Sequence, residues 1–241
     1  MTSEAPQPSL REQKKEETRR ALSRAAAELL LSEGSDGMTV AAIAGRAGVS
    51  TRTFHNYFPR REDALLTFIE DTLEEWRRQV EQAPRGEHPL ETMHRLIAVR
   101  LGAGPDAGPD TGSDAGPDTG PTDPADPLNP GSLLNLMSIG DHLGLTTGPA
   151  DKQRVLRLGD GLLETLYRRP GHALSRQAMT LLMISSLAAG AIAVEADHRA
   201  RDRSSGDCVL PPWASLHSGD DRDPRDILDE GFTLLGSGFA G

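Results

Sequence analysis

Cysteine is nearly absent from the 241 residues: Cys208 stands alone, so no disulfide framework can brace the chain. A reducing compartment, the cytoplasm, is the simplest setting for that usage. The chain begins MTSEAPQPSLREQKKEETRR, which lacks the basic-then-apolar order of a secretory signal, so none is expected. Apolar runs are short. The longest uncharged stretch, QAMTLLMISSLAAGAIAV between Arg176 and Glu195, holds 18 residues and includes Gln177, Thr180, Ser185, Ser186 and Gly190. It reads as a buried bundle helix and not as a membrane span. Lysine is scarce too, 3 of 26 basic residues, a bias that fits a high-GC bacterial genome. Catalytic signatures are missing: there is no nucleophile elbow and no Walker loop, and the glycines at 102 and 104 lead into prolines and aspartates that would repel a phosphate. The seven histidines form no H-x3-H pair and no CxxC occurs, so no metal, no cofactor and no enzyme activity is expected.

What is present is helical periodicity, with no segment alternating convincingly as a strand; the fold is expected to be all-α, with about nine helices. Residues 1–10, with two prolines and no period, read as a disordered tail. A first helix fits 11–32, with Leu22, Ala25, Ala26, Leu29 and Leu30 on one face and Gly34 as its stop. Two short helices follow, 40–47 capped by Thr39 and 51–58 capped by Ser50, with Gly48 between them. A fourth runs 61–82, with Glu62 and Asp63 in its first turn, where the helix dipole favours acids. Helical pattern continues at 89–101, 132–143, 150–167, 174–199 and 225–239. Two stretches interrupt it. Residues 102–131 contain AGPD, AGPD, TGSD and AGPD in tandem, and Gly, Pro and Asp supply 20 of those 30 positions. That composition cannot bury apolar surface and reads as a disordered acidic insert. Residues 200–224 read as a polar loop carrying Cys208.

Helix, glycine turn, helix over TVAAIAGRAGVSTRTFHNYF (39–58) is the spacing of a helix-turn-helix. Ile43, Val49, Phe54 and Phe58 are the apolar points that can hold both short helices against the first. Ala44 and Ala47 permit close approach, and Gly48 the tight turn. With Phe54 and Phe58 turned inward, Arg52, His55 and Asn56 must face out, flanked by Thr51 and Thr53, where they can donate to phosphates and base edges. Residues from about 16 to 76, carried by ETRRALSRAAAELLLSEG and MTVAAIAGRAGVSTRTFHNYFPRREDALL, resemble the DNA-binding domain of the TetR family of transcriptional regulators. The resemblance implies that Thr39 contacts a phosphate. It also implies that Ser50, Thr51, Arg52, Thr53, His55 and Asn56 belong to the reading surface, and that Tyr57 and Arg61 clamp the DNA backbone. His55 replaces the tyrosine many members carry, Arg61 replaces a usual lysine, and Arg60 stands where a small capping residue is common. Domain boundaries follow: 11–60 as the DNA-binding domain, 61–82 as a linking helix, and 83–241 as a ligand-binding and dimerisation domain.

One helix-turn-helix reads few base pairs, so a homodimer on a palindromic double-stranded operator is expected. Helix 174–199 suits that interface through Leu181 and the small stripe Ser185, Ala189 and Ala193, joined by Phe232 and Leu235 of the last helix. The resemblance further implies a small-molecule effector pocket, with Met93, His94, Ile97, Leu101, Leu136, Met137, Leu166 and Tyr167 as candidate lining, together with Leu162 and Met183. The functional expectation is a ligand-responsive regulator, a repressor more than an activator, with no membrane partner. The rivals are an effector-independent regulator, a redox- or metal-responsive one, and a helical enzyme with a DNA-binding head.

The acidic balance, −10 with a sequence pI near 5.2, argues against a nucleic-acid partner only if it is averaged. Residues 9–61 hold ten basic and six acidic side chains; residues 62–241 hold 16 and 29. Deleting residues 103–127 should leave folding and DNA affinity nearly unchanged. A large fall in melting temperature on a thermal scan would instead make the repeat structural.

Overall fold

The computed structural model describes residues 9–99, 133–201 and 223–239. Among them lie nine helices and no strand: α1 (Leu10–Gly37), α2 (Val40–Arg46), α3 (Thr51–Tyr57), α4 (Arg61–Gln82), α5 (Pro89–Ala98), α6 (Leu133–Thr146), α7 (Pro149–Tyr167), α8 (Arg176–Arg201) and α9 (Pro224–Phe239). The all-α expectation holds. The candidates Leu101 and Cys208, and the whole AGPD segment, fall outside the described residues.

The chain divides into two compact units, residues 1–70 and 71–241, and the division falls inside α4. In the N-terminal unit α1 starts earlier than its apolar period suggests. Ser9 and Glu12 form a reciprocal capping box, Glu12 Oε2 accepting the Ser9 amide at 2.8 Å and Ser9 Oγ the Glu12 amide at 3.3 Å. Ser9 and Leu10, expected within a tail, are instead the cap and first residue of α1, and residues 1–8 lie outside the described residues. At the other end Gly34 takes φ 70°, a left-handed conformation open to glycine, and breaks the helix where the stop was expected. The buried side chains of this unit include Leu22, Ala26, Leu29, Met38, Ile43, Phe54, Phe58, Leu65 and Leu66.

The C-terminal unit is a bundle in which α8 packs on α5, α6, α7 and α9. Its core gathers Trp76 and Val80 of α4, Met93, Leu96 and Ile97 of α5, Leu162 and Leu166 of α7, Met179 and Leu182 of α8, and Leu228 and Phe232 of α9. α5 is set by His88, whose Nδ1 accepts the Leu90 amide at 3.2 Å, by Pro89 in the first turn, and by Glu91 closing the box. Arg95 donates to Glu87 at 3.0 Å and holds that carboxyl below the ordinary carboxylate range; the Thr92 hydroxyl donates to it as well. The tie is present above the ordinary carboxylate pKa and fades as acidification passes through the lowered one.

α8 is long and apolar enough, by length and composition, to cross a membrane. Its inner face is used within the bundle: Met179, Leu182, Ser186, Ala191 and Ala193 are buried. The small-residue stripe serves the same packing, since a Cβ added to Gly231 of α9 would stand 3.2 Å from the Ala189 Cβ. α8 and α9 thus approach through Ala189 and Gly231. Replacing Gly231 with leucine should force that contact apart and cost about 1–3 kcal/mol of stability, read as a lowered denaturation midpoint in urea.

Candidate nucleic-acid interface

Seven residues make α2 and seven make α3, and each begins on a side-chain cap. Thr39 Oγ1 accepts the Ala42 amide at 3.1 Å, and Ser50 Oγ accepts the Thr53 amide at 3.1 Å. Between the two helices Gly48 adopts φ 67°, while the Val49 amide donates to the Ala44 carbonyl at 2.9 Å. That left-handed residue turns the chain within one step, as the short connection of a helix-turn-helix requires. Arg46 ties α2 to α1 through Glu33 at 3.2 Å and Glu28 at 3.8 Å.

α3 is amphipathic over its short length. Phe54 is fully buried and Phe58 nearly so, their rings 5.7 Å apart. Burying two such rings contributes roughly 3–6 kcal/mol, enough to seat a helix that could not stand alone. The 3.6-residue period then aims Arg52, His55 and Asn56 the other way, and all three are exposed. Neither the Arg52 nor the Asn56 side chain has a hydrogen-bond partner among the described residues, while the His55 ring stands edge-on to Phe54 at 5.5 Å. Thr51 is exposed beside them, and Tyr57 is half-buried. Thr39 is exposed as well; its cap uses an acceptor lone pair and leaves the hydroxyl proton for an incoming oxygen. Ser50 and Thr53 share a hydroxyl–hydroxyl hydrogen bond at 2.9 Å, so one of their two protons is already committed.

Arg61 is placed differently from the expected backbone clamp. Its guanidinium turns inward, donating through Nη1 to the Ser35 carbonyl at 2.7 Å and the Met38 carbonyl at 3.0 Å, and through Nε to Glu62 at 3.0 Å. It pins the start of α4 to the last turn of α1, beyond the Gly34 kink, and to Met38 just after it. The bare carbonyls left after the Gly34 break are the cause, and no local pattern in the sequence announces them. Arg60 is likewise engaged, its side chain and amide both bonded to Asp63.

The candidate effector residues separate in the same way. Met93, Ile97, Leu162 and Leu166 are buried in the C-terminal core, with Leu136 and Met183 packed on it. Tyr167 instead points outward at 37% exposure, its ring near His172. His94 lies at the surface, bonded to Asp229 at 2.6 Å and edge-on to Phe232, because its position on α5 faces α9 and not the core. The Met137 side chain lies outside what is described. Of the candidate interface residues, Ala193 and Phe232 are buried within the chain's own core and Leu235 packs against it. Leu181 is 59% exposed and Ser185 half-buried, and the sequence reading did not include Leu234, 66% exposed on α9. Among the described residues no three His, Cys, Asp or Glu side chains gather as a metal-binding group.

An exposed polar face on a capped second helix, behind a glycine turn, defines a helix-turn-helix protein of the DNA-binding class. Residues 22–66 match the model of bacterial regulatory proteins of the tetR family. Over 95 residues it is 38% identical to the HTH-type transcriptional regulator TcmR of Streptomyces glaucescens, a match covering 39% of this chain and 42% of that relative's length. Two solved structures share the fold at 13% identity. A transcriptional regulator from Rhodococcus sp. Rha1 has a TM-score of 0.52 over 91% of this chain and 96% of its own. A TetR-family regulator from Rhodococcus sp. has 0.51 over 93% and 99%.

Arg61→Ala should lower the stability of the N-terminal unit by about 1–3 kcal/mol, because charge-assisted bonds to two carbonyls are lost. Amide hydrogen exchange of α1 and α2 measures this. Unchanged exchange together with weaker binding to every DNA sequence would restore Arg61 to the clamp.

Proposed function

We propose that this protein is a homodimeric, cytoplasmic transcriptional repressor that reads a palindromic operator with α3 in the major groove. The observation that carries the reading is the outward triad Arg52, His55 and Asn56, set on a helix whose other face is anchored by Phe54 and Phe58. Arginine matches guanine O6 and N7, and asparagine matches adenine N6 and N7, in a groove wide enough to admit the helix. Thr39, Thr51 and Tyr57 supply phosphate contacts that fix its register.

Dimerisation follows from the arithmetic of reading. A seven-residue helix contacts one short half-site, and two copies spaced by one turn of DNA supply the affinity. The apolar residues that the C-terminal unit leaves on the surface of α8 and α9, Leu181, Ile184 (56% exposed) and Leu234, favour a second copy of the chain as the partner. The remaining step is release by a small molecule bound in the C-terminal unit, which would act by favouring a conformation of the dimer that fits the operator less well. In this reading the protein binds and regulates and does not catalyse.

The test uses an operator recovered by in vitro selection, with binding followed by fluorescence anisotropy and complex mass by sedimentation. Arg52→Ala and His55→Ala should each cost about 1–3 kcal/mol of operator affinity and leave non-specific binding almost unchanged. The wild-type complex should hold two chains per site. Unaltered operator affinity in both variants would remove α3 as the reading element.

A further inference from the structure

The C-terminal unit carries a surface groove of about 350 Å³ that operator reading does not use. It lies beside the last turns of α4 and α7, where Arg77, Arg85, Arg168 and Arg169 line it against Glu81 and Glu164. Residues 71–241 hold 26 acidic side chains to 16 basic, so four arginines in one groove reverse the local sign of charge.

The carboxylates there are already matched. Arg77 pairs with Glu81 at 2.7 Å, and Glu164 is shared between Arg176 and Arg168, which together hold its carboxyl below the ordinary range. Two lining arginines, Arg169 and Arg85, form no ion pair among the described residues, although Glu87 lies near enough to Arg169 for that charge to help lower its carboxyl pKa. Arg169 spends its terminal nitrogens on backbone carbonyls, Val80, Ala83 at 3.4 Å and Pro84 at 2.6 Å; its Nε is buried with no hydrogen-bond partner. Arg85 is exposed and has no partner among the described residues.

The groove is also held in shape. Gly86 and Gly171 occupy left-handed conformations at φ 87° and 98°, and a Cβ on Gly171 would stand 3.2 Å from the Gly86 Cα. The α4–α5 and α7–α8 turns therefore touch backbone to backbone, next to Arg85 on one side and Arg169 with Pro170 on the other. Side chains on turns fixed this closely lose less freedom when they bind.

We propose that this groove binds a small organic oxyanion, a carboxylate or a phosphate monoester. Its head pairs with the Arg85 guanidinium beside the half-buried guanidinium of Arg169, and its body lies on Ala83 and Pro170. A planar guanidinium matches either head in a two-bond fork, and the volume suits a compact ligand. The site rests on the C-terminal unit alone and is independent of operator binding, so it is measured without DNA.

Isothermal titration of the full chain at fixed chloride, with phenyl phosphate, benzoate and uncharged benzyl alcohol, tests this. At least one anion should saturate at one per chain while benzyl alcohol does not bind; the tighter anion identifies the head group. Arg85→Ala should weaken binding about fivefold and Arg85→Glu more than about tenfold, with melting temperatures unchanged because Arg85 holds nothing in the fold. Absence of saturable binding by both anions, equal binding of benzyl alcohol, or wild-type affinity in Arg85→Glu would overturn the proposal.

Discussion

A helix of seven residues makes too few internal hydrogen bonds to persist in water, and α3 has seven. Its existence depends on Phe54 and Phe58 being withdrawn from solvent, and the orientation of its polar face depends on the same burial. Rotating α3 by one residue, about 100°, would expose a phenylalanine and bury a charged or amide side chain at a cost of several kcal/mol. Apolar anchoring on one side thus fixes which side chains are offered on the other. Side-chain caps from Thr39 and Ser50, and the left-handed Gly48 between them, hold both short helices at their ends.

A second theme is the use of arginine on backbone. Arg61 satisfies the Ser35 and Met38 carbonyls after α1 breaks at Gly34, and Arg169 satisfies three carbonyls where α4 ends. A helix end leaves carbonyls that need donors, and a guanidinium offers five in a rigid plane. In both places a residue whose charge suggests a ligand is first of all closing a helix terminus. At Arg169 the guanidinium bonds carbonyls and no carboxylate, while its charge still acts on the nearby Glu87 carboxyl.

Legibility followed the range of the physics involved. The Gly34 stop, the Thr39 and Ser50 caps, the α4 boundaries and the inward phenylalanines rest on contacts within four or five residues, and the sequence displays them. The Ser9-to-Glu12 capping box was equally local and was hidden only by the prolines before it. Arg61 bonds across 23 and 26 positions and Arg169 across more than 80, so neither role has a local signature. The small stripe on α8 was visible as a pattern, yet a pattern of small residues states that something comes close without saying what. Gly231 of the same chain is what meets Ala189.

Sequence alone determined that the chain is helical, that a helix-turn-helix lies at 39–58, and that Arg52, His55 and Asn56 oppose Phe54 and Phe58, because helical period and capping chemistry are local properties. It also exposed the acidic average as a mixture, with a basic excess confined to residues 9–61. Only the tertiary structure decided that Tyr167 faces outward and His94 turns to Asp229 and Phe232 of α9, that Ala193 and Phe232 belong to the chain's own core, and that two turns meet glycine to glycine beside four arginines. Those outcomes depend on which helix lies against which. That is settled by the summed burial of distant residues, which no stretch of sequence carries by itself.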